Sequence, residues 1–272
     1  MPTDKYLHSY SPAEAERLRQ QSVMLSPFIY EHIDLSESQR VLEVGCGVGA
    51  HTELLLRKHP QLHITGIDID TRQIAFAKAH LDTVLEIADR YRLLQADAAD
   101  LSRLEGEPFD TVLITWVLEH AEQPAAILKE LARILPSGCR LYISEVFNSS
   151  MYMLPRLPHF MRYYEQLMRY QLDQGGDGDI GIRVADMLLQ AGFGEVSSRP
   201  YPIHLAGHKP ELRRQMFHYW ERLMISAWPA LQSHGYVSKE LWQHTEQELK
   251  TLAHDPDAIF FYCFVQSSAK VS

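Results

Sequence analysis

A glycine-rich segment near residue 45 constrains the fold of this chain more than any other feature of its sequence. Residues 41–44 form a short, mostly apolar run, residues 45–49 contain three alternating glycines, and a helical pattern begins near His51. Glycine allows the chain to turn tightly and brings backbone N–H groups close to a ligand, where a side chain would not fit. The segment therefore predicts a strand, a ligand-binding turn and a helix.

Strand-like and helical patterns alternate through the first half of the chain. The predicted strands cover residues 41–44, 62–67, 91–95, 111–115 and 140–146. Strands that are separated by helices pair in parallel, and right-handed crossovers place ligands at the carboxyl ends of the strands. We therefore predict an α/β domain with a doubly wound, mostly parallel sheet.

The regular alternation stops after Val146, where the chain adds segments rich in Met, Tyr, Pro and Leu. A helix over residues 12–25, predicted to end before Pro27, and later helical stretches predict a cap over the sheet. We expect one domain over residues 1–272. Its core is expected at about 29–147, 180–203 and 257–268, and its helical cap at about 1–28, 148–179 and 204–256.

Residues 175–179, Gly-Gly-Asp-Gly-Asp, interrupt the cap. Acids beside glycines occur in calcium-binding loops, but such a loop also has a later glutamate, which this spacing lacks. The segment is therefore predicted to be a hinge of the cap, and no metal site is expected.

Charge and cysteine content limit the partners of the chain. Acidic residues outnumber basic ones by 35 to 26, whereas proteins that bind duplex nucleic acid usually carry a basic stripe, so no nucleic-acid partner is expected. Cys46, Cys139 and Cys263 lie far apart among apolar residues, which indicates reduced thiols and a cytoplasmic protein. The sequence has no apolar run of membrane-spanning length, so no membrane partner is expected.

Three acids end successive predicted strands: Glu43, Asp68 and Asp97. With Ala50, the glycine segment also satisfies the dinucleotide-binding fingerprint, and Asp68 lies at the distance of a ribose-binding acid. A carboxylate at Glu43 would repel a pyrophosphate but tolerates the ammonium group of S-adenosylmethionine. The three acids could accept hydrogen bonds from an amino group, a ribose and an adenine amine, which favours S-adenosylmethionine over a dinucleotide.

In four segments the sequence resembles the class I S-adenosylmethionine-dependent methyltransferases. These segments are residues 41–49, 65–69, 95–98 and 109–120, and the whole resemblance covers about residues 35–150. It implies a seven-stranded sheet of order 3-2-1-4-5-7-6, in which residues 259–266 form the antiparallel seventh strand. It also implies that the cofactor is S-adenosyl-L-methionine.

The resemblance implies which residues meet the methionine half of the cofactor. Gly45 and Gly47 would lie along the methionine portion with Glu43 nearby, and Thr115 and Trp116 would border the sulfonium and its methyl group. The alternatives are that Glu43 is a surface acid at a strand end and that Trp116 belongs to the core.

The resemblance places the adenosine half against the next two strands. Asp68 would accept hydrogen bonds from the ribose hydroxyls, and Ile69 would pack on adenine. Asp97 would accept from the adenine amine, and the backbone N–H of Ala98 would donate to a ring nitrogen. The two aspartates could instead cap helices, although Asp70 is the better cap candidate.

The leading segment resembles the first helix of a bacterial subgroup of these enzymes, in which it closes over the cofactor. Tyr10 is expected to reach the site, and Arg17 is a second candidate; a packing tyrosine and a surface arginine are the alternatives. Ten aromatic residues follow Val146: Phe147, Tyr152, Phe160, Tyr163, Tyr164, Tyr170, Phe217, Tyr219, Trp220 and Trp228. At least two of them are expected to wall an apolar pocket for the acceptor, unless they form only the core of the cap.

Methyl transfer from a sulfonium is an in-line displacement, so it needs a base only when the acceptor carries a proton that must be lost. His120, just beyond the fourth strand, is the first candidate for that base. Glu-His at this place often begins the next helix instead. His159, His204 and His208 are further candidates in the added segments, so the sequence identifies no single catalytic residue.

These features predict an S-adenosylmethionine-dependent methyltransferase that acts on a small, partly apolar or aromatic acceptor held under a helical cap. The closest rival is a protein or nucleic-acid methyltransferase of the same fold. A nicotinamide-dependent oxidoreductase would be expected to show a catalytic Tyr-x-x-x-Lys, and a non-catalytic cofactor-binding protein to have lost a motif glycine or acid. The sequence leaves open the atom that is methylated and whether the chain forms a homodimer.

Overall fold

The computed structural model describes residues 11–272 and shows helices packed around one sheet. The strands are β1 (Arg40–Val44), β2 (His63–Asp68), β3 (Tyr91–Gln95), β4 (Thr111–Thr115), β5 (Arg140–Leu154), β6 (Gly194–Leu205) and β7 (Ile259–Lys270). The helices are α1 (Pro12–Tyr30), α2 (Ala50–Lys58), α3 (Thr71–Leu81), α4 (Pro124–Ile134), α5 (Pro158–Asp173), α6 (Val184–Gln190), α7 (Pro210–Ser233) and α8 (Lys239–His254). None of the helices in this part of the chain is long and apolar enough to cross a membrane.

The sheet has the order β3-β2-β1-β4-β5-β7-β6, which confirms the predicted order. Strands β1 to β5 pair in parallel, with Val44 of β1 opposite Ile67 on one side and Ile114 on the other. Strand β7 is antiparallel to both of its neighbours. The strand order reverses between β1 and β4, and in open α/β sheets the ligand crevice lies at such a reversal, outside the carboxyl ends of the strands.

Helix α1 continues through Pro27 to Tyr30, so the prediction that it ends before the proline is wrong. Proline has no N–H to donate to the carbonyl four residues earlier, which here belongs to Val23. The hydroxyl of Ser26 donates to that carbonyl at 3.2 Å instead. The last turn also buries Ile29, which is 1% exposed, so apolar packing helps to hold the helix beyond the proline.

Strand β5 runs further than the predicted residues 140–146, and β6 runs past residue 203, the predicted end of that part of the core. Strand β5 reaches Leu154 and β6 reaches Leu205 because β7 pairs with both, and the pairing continues to Ile259 opposite Leu154 and to Phe260 opposite Leu205. Residues 148–154 and 204–205, assigned to the helical cap from the sequence, are therefore strand. Their extension carries sheet side chains beneath the cap helices.

One apolar cluster joins the cap to the sheet. Helices α5 and α7 bury Phe160, Tyr163 and Phe217, each at most 1% exposed, in the same cluster as Phe260 of β7. Two further clusters pack helices against the two faces of the parallel strands. Because its core is continuous with β5 and β7, the cap is fixed to the antiparallel end of the sheet.

Candidate cofactor and acceptor site

A cavity of about 790 Å³ lies between the carboxyl ends of the parallel strands and the cap. This volume is in the range of small-molecule sites. The turns after β1, β2, β3 and β4 line this cavity together with residues of α1, α5, α7, β5, β6 and β7. The cavity brings together eight of the ten predicted cofactor residues: Gly45, Gly47, Asp68, Ile69, Asp97, Ala98, Thr115 and Trp116.

The turn after β1 uses backbone conformations that only glycine adopts easily. Gly45 and Gly47 have φ angles of +70° and +51°. A Cβ atom on Gly45 would lie 2.3 Å from the side chain of Val117, so this glycine lets the turns after β1 and β4 pack together. A Cβ atom on Gly47 would meet no protein atom within 4 Å, so its backbone can be approached by a ligand.

Asp68 presents a fixed carboxylate at the end of β2. Its Oδ2 accepts from the N–H of Gly47 and its Oδ1 from the N–H of Asp70, both at 2.9 Å. Burial raises the pKa of Asp68, and the two amide hydrogen bonds act in the opposite direction. The side chain of Ile69 beside it is 65% exposed on the cavity wall, which leaves apolar surface that a flat ring could cover.

Asp70, and not Asp68, caps helix α3. The side chain of Asp70 accepts from the N–H groups of Arg72 and Gln73, as the sequence predicted. In the turn after β3, the carboxylate of Asp97 accepts from the N–H of Ala99 at 2.9 Å, which shapes that turn at the cavity. The roles of these acids in ligand binding stay predictions.

Trp116 stands where β4 meets the cavity. It has a φ angle of +54°, a strained value for a residue with a large side chain, and such strain often marks a functional site. Its ring packs on His51 of α2 and Phe264 of β7, with ring centroids 5.9 and 5.2 Å apart. The sequence allowed Trp116 to be either a site residue or a core residue. In the structure it lines the cavity and also contributes to packing.

Glu43 does not line the cavity. It is 6% exposed, and its carboxylate accepts from the hydroxyl of Thr52 at 2.5 Å. Burial raises the pKa of Glu43 to about 7, the hydrogen bond from Thr52 lowers it, and the charge of Asp68 raises it further. Glu43 is thus a buried acid and not a surface acid, and its expected place near the methionine portion stays a prediction.

Helix α1 forms part of the cavity wall through Arg17, Gln21 and Leu25. Arg17, 8% exposed, pairs at 2.6 Å with Glu14, which is 4% exposed, and its Nη1 donates to Gln21 at 2.7 Å. Arg17 is therefore not a surface charge. Tyr10 lies outside the described residues, so its expected contact with the cofactor stays a prediction.

Aromatic side chains wall the part of the cavity beneath helices α5 and α7. Of the ten candidate aromatics, Tyr164, Tyr219 and Trp220 line the cavity, which meets the expectation of at least two, and the other seven do not. Phe260, Tyr262 and Phe264 of β7 also line it, and the sequence indicated only that they belong to a buried strand. Their spacing of two residues places them on one face of β7, a signal that becomes useful once the strand is known to pass the cavity.

The histidine candidates differ in their positions. His120 lines the cavity with a side chain that is 36% exposed, while His159, His204 and His208 do not line it. Desolvation by the surrounding wall lowers the pKa of His120 to about 4. A base of such low pKa holds a proton poorly near neutral pH, which disfavours His120 as the proton acceptor.

Glu119 is a cavity acid that the sequence did not reveal, because Glu-His was interpreted either as a base at His120 or as the start of a helix. Its Oε2 accepts from Nε2 of Gln171 at 2.8 Å. Glu145 of β5 accepts from the N–H groups of Val117 and Leu118 at 2.8 and 2.7 Å, just before Glu119 in the chain. Burial raises the pKa of both carboxyl groups, and the charge of Glu119 raises that of Glu145 further.

The loop 175–179 packs against this wall, and its role as a hinge stays a prediction. The N–H of Asp177 donates to the carbonyl of Glu119 at 2.8 Å, and Asp177 also pairs with Arg183. A Cβ atom on Gly176 would lie 2.5 Å from the same carbonyl oxygen. The glycine therefore permits close packing of the loop against the turn that carries Glu119.

Comparison with known proteins points to one family. Residues 42–143 match the family described as a methyltransferase domain. The ubiquinone biosynthesis O-methyltransferase of Xylella fastidiosa is 32% identical over 143 residues, which are 52% of this chain and 51% of that enzyme. The chain thus spans about half the length of this curated relative.

Solved structures share the fold over longer stretches. Human N-acetylserotonin methyltransferase in complex with S-adenosylmethionine has a TM-score of 0.52 at 16% identity, covering 68% of this chain and 51% of that chain. The 4+2 cyclase SpnF has a TM-score of 0.52 at 17% identity, covering 93% of this chain and 96% of that chain. These likenesses show the fold alone. Residues 42–143 thus match a methyltransferase domain, and the sheet has the strand order implied by the resemblance to the class I S-adenosylmethionine-dependent methyltransferases.

Proposed function

We propose that this chain transfers a methyl group from S-adenosylmethionine to a small, partly apolar or aromatic acceptor. The observation that carries the proposal is the continuous cavity, with Asp68 and the glycine turn at one end and an aromatic wall at the other. Trp116 connects the two ends, because its ring packs on His51 from the cofactor half and on Phe264 from the acceptor half.

The residues at the first end fit S-adenosylmethionine. Gly47 leaves space for a ligand at the backbone, and the fixed carboxylate of Asp68 is a suitable acceptor for ribose hydroxyls. Ile69 offers an apolar face for adenine, and Asp97 is a suitable acceptor for its amine. When bound, S-adenosylmethionine supplies a methyl group on a sulfonium, which is already an activated leaving group.

The protein would contribute alignment and the exclusion of water. The nucleophile of the acceptor must lie about 3 Å from the methyl group and in line with the breaking bond. The aromatic wall and helix α1 would keep water from the reacting atoms, and aromatic faces such as that of Trp116 stabilise a nearby cation. No covalent intermediate with the protein is required.

The enclosure of the cavity favours a small acceptor over a polymer. Helices α1, α5 and α7 all contribute to its wall, whereas a protein or nucleic-acid substrate would need an open groove. Relatives named O-methyltransferases favour an oxygen acceptor. The same fold also occurs in a cyclase, so methyl transfer has to be measured and not assumed from the fold.

Isothermal titration with S-adenosylhomocysteine tests the cofactor site. We expect the wild type to bind and Asp68→Ala to bind at least about tenfold more weakly, because a charge-assisted hydrogen bond contributes roughly 1.5–3 kcal/mol. Asp186→Ala, which removes an exposed carboxylate on α6, is the matched control and should bind like the wild type. A folded wild type that does not bind would refute the proposal, and binding without methylation of any hydroxyl or amine compound in a broad panel would indicate a non-catalytic binding protein.

A further inference from the structure

At the wall of the acceptor half, one carboxylate oxygen of Glu119 has no hydrogen-bond partner among residues 11–272. Its side chain is 11% exposed, and Oε2 accepts from Gln171 at 2.8 Å. Oε1 lies 3.7 Å from Nε2 of His120, which is beyond hydrogen-bond distance, and no other described residue donates to it. Glu119 lines the cavity, so a donor on a ligand bound there would be able to pair with Oε1.

The backbone around Glu119 is held in place from three directions. Asp177 donates to its carbonyl at 2.8 Å, and Gln171 also donates to that carbonyl at 3.3 Å. Glu145 fixes the two preceding peptide groups through its hydrogen bonds from Val117 and Leu118. The carboxylate therefore has a defined position in the wall before any acceptor arrives.

The groups around Glu119 leave few candidates for proton transfer near neutral pH. Burial raises the pKa of each facing phenol, and it lowers the pKa of His120 to about 4, so these groups are neutral. The charged group next to Tyr219 is Arg17, which is paired with Glu14. The groups that face Glu119 are Tyr164 of α5, Tyr219 of α7, Tyr262 of β7, Glu145 of β5, His120 and, further out, Asp179.

We infer that Glu119 is a catalytic residue that binds the hydroxyl group of the acceptor and takes its proton during methyl transfer. The inference rests on the proposed function. The proton moves to Oε1 of Glu119, the acceptor oxygen forms the bond to the methyl carbon, and the electron pair of the broken carbon–sulfur bond stays on sulfur. Burial brings the pKa of Glu119 toward neutral pH, where a general base is most effective.

Catechol serves as the probe, because it presents an aromatic hydroxyl that stays neutral from mildly acidic to mildly alkaline pH. Its binding is measured by calorimetry on protein saturated with S-adenosylhomocysteine. In the wild type the affinity should rise with pH as Glu119 loses its proton, because a carboxylate accepts a stronger hydrogen bond than a carboxylic acid does. Glu119→Gln should lose this pH dependence and bind at least about tenfold more weakly at the alkaline end.

Two further variants keep the test decisive if Glu119→Gln folds poorly. The hydrogen bond from Gln171 lowers the pKa of Glu119, so Gln171→Leu should move the pH dependence of catechol binding to higher pH. Glu165→Gln removes a carboxylate from the exposed face of α5 and should behave like the wild type. The inference is overturned if catechol does not bind, or binds without pH dependence, while S-adenosylhomocysteine still binds. Loss of S-adenosylhomocysteine binding by the wild type would instead refute the proposed function.

Discussion

The backbone N–H of Gly47 donates a hydrogen bond of 2.9 Å to the carboxylate of Asp68. This bond fixes the turn after β1 to the end of β2, which are the segments expected to meet the methionine and the ribose of the cofactor. The same carboxylate also accepts from Asp70 at the start of α3. The site is therefore organised by its own hydrogen bonds, and substitutions in the turn can separate backbone strain from loss of ligand contact.

Alanine at the two glycines should have different effects. Gly47→Ala should cost about 1–2 kcal/mol of stability, because residue 47 has a left-handed φ angle. It should also weaken binding of S-adenosylhomocysteine, because the added methyl group would occupy open space at the cavity. Gly45→Ala should destabilise more, by a further 1–3 kcal/mol or so, because its Cβ would lie 2.3 Å from Val117. Urea denaturation and calorimetric titration measure the two effects.

Gly207→Ala is the control for both variants. Gly207 has no positive φ angle, and a Cβ atom there would meet nothing within 4 Å, so stability and binding should stay near those of the wild type. If Gly47→Ala binds S-adenosylhomocysteine as tightly as the wild type does, the open side of this glycine does not face the ligand.

Glu43→Gln should make the protein more stable at alkaline pH. Burial raises the pKa of Glu43 from about 4.5 to about 7, so the folded state holds this proton after the unfolded state has lost it. That contribution is complete below pH 4.5 and is lost as pH rises through 7, an effect on the order of 3 kcal/mol. The glutamine side chain does not ionise, so the variant does not lose this stability as pH rises. Its amide oxygen can still accept from the hydroxyl of Thr52.

Urea denaturation at several pH values checks this prediction. The free energies of unfolding of wild type and Glu43→Gln should be similar near pH 4.5 and should diverge toward pH 7 and above. Glu211→Gln, at an exposed site on α7, should follow the wild type at every pH. Curves for Glu43→Gln that run parallel to the wild type would mean that Glu43 is ionised in the folded protein throughout.

The parallel half of the fold could be predicted because its signals are local. Each strand end carries a recognisable turn, and the glycines, Asp68 and Asp97 all follow from spacing along short segments. The predicted residues therefore reach one cavity without any knowledge of distant contacts. Glu43 is the exception, because its burial behind Thr52 depends on how α2 packs.

The part of the cavity beneath helices α5 and α7 could not be predicted, because it depends on pairing between distant segments. Pro200 and Pro202 lie within β6, which can contain them because it is an edge strand, where a missing N–H costs little. The side chain of Glu119 is positioned by a hydrogen bond from Gln171, which lies 52 residues away in the sequence. Residues that meet through long-range packing leave no spacing signal in the sequence.

Alanine at Gly176 should distinguish a supporting loop from a hinge. Its Cβ would lie 2.5 Å from the carbonyl oxygen of Glu119, so the loop or the turn must move, at a cost of about 1–3 kcal/mol. Thermal and urea denaturation should show this loss, and the pH dependence of catechol binding should weaken because Glu119 shifts. A hinge would tolerate alanine, so unchanged stability would contradict the supporting role.

Substitution of Arg17 should release helix α1 from the cavity. Arg17→Met leaves the carboxylate of Glu14 buried without its cation, which costs about 3–5 kcal/mol when a buried pair is broken. Helix α1 can relieve this cost by moving into water. We therefore expect faster amide hydrogen exchange in α1 and weaker binding of S-adenosylhomocysteine, while the central strands should still exchange slowly. The double variant Glu14→Gln/Arg17→Met removes both charges and should recover most of the protection of α1, because replacing a whole buried pair is often nearly neutral. Equal exchange in the single and double variants would show that the unpaired carboxylate is not what drives the helix away.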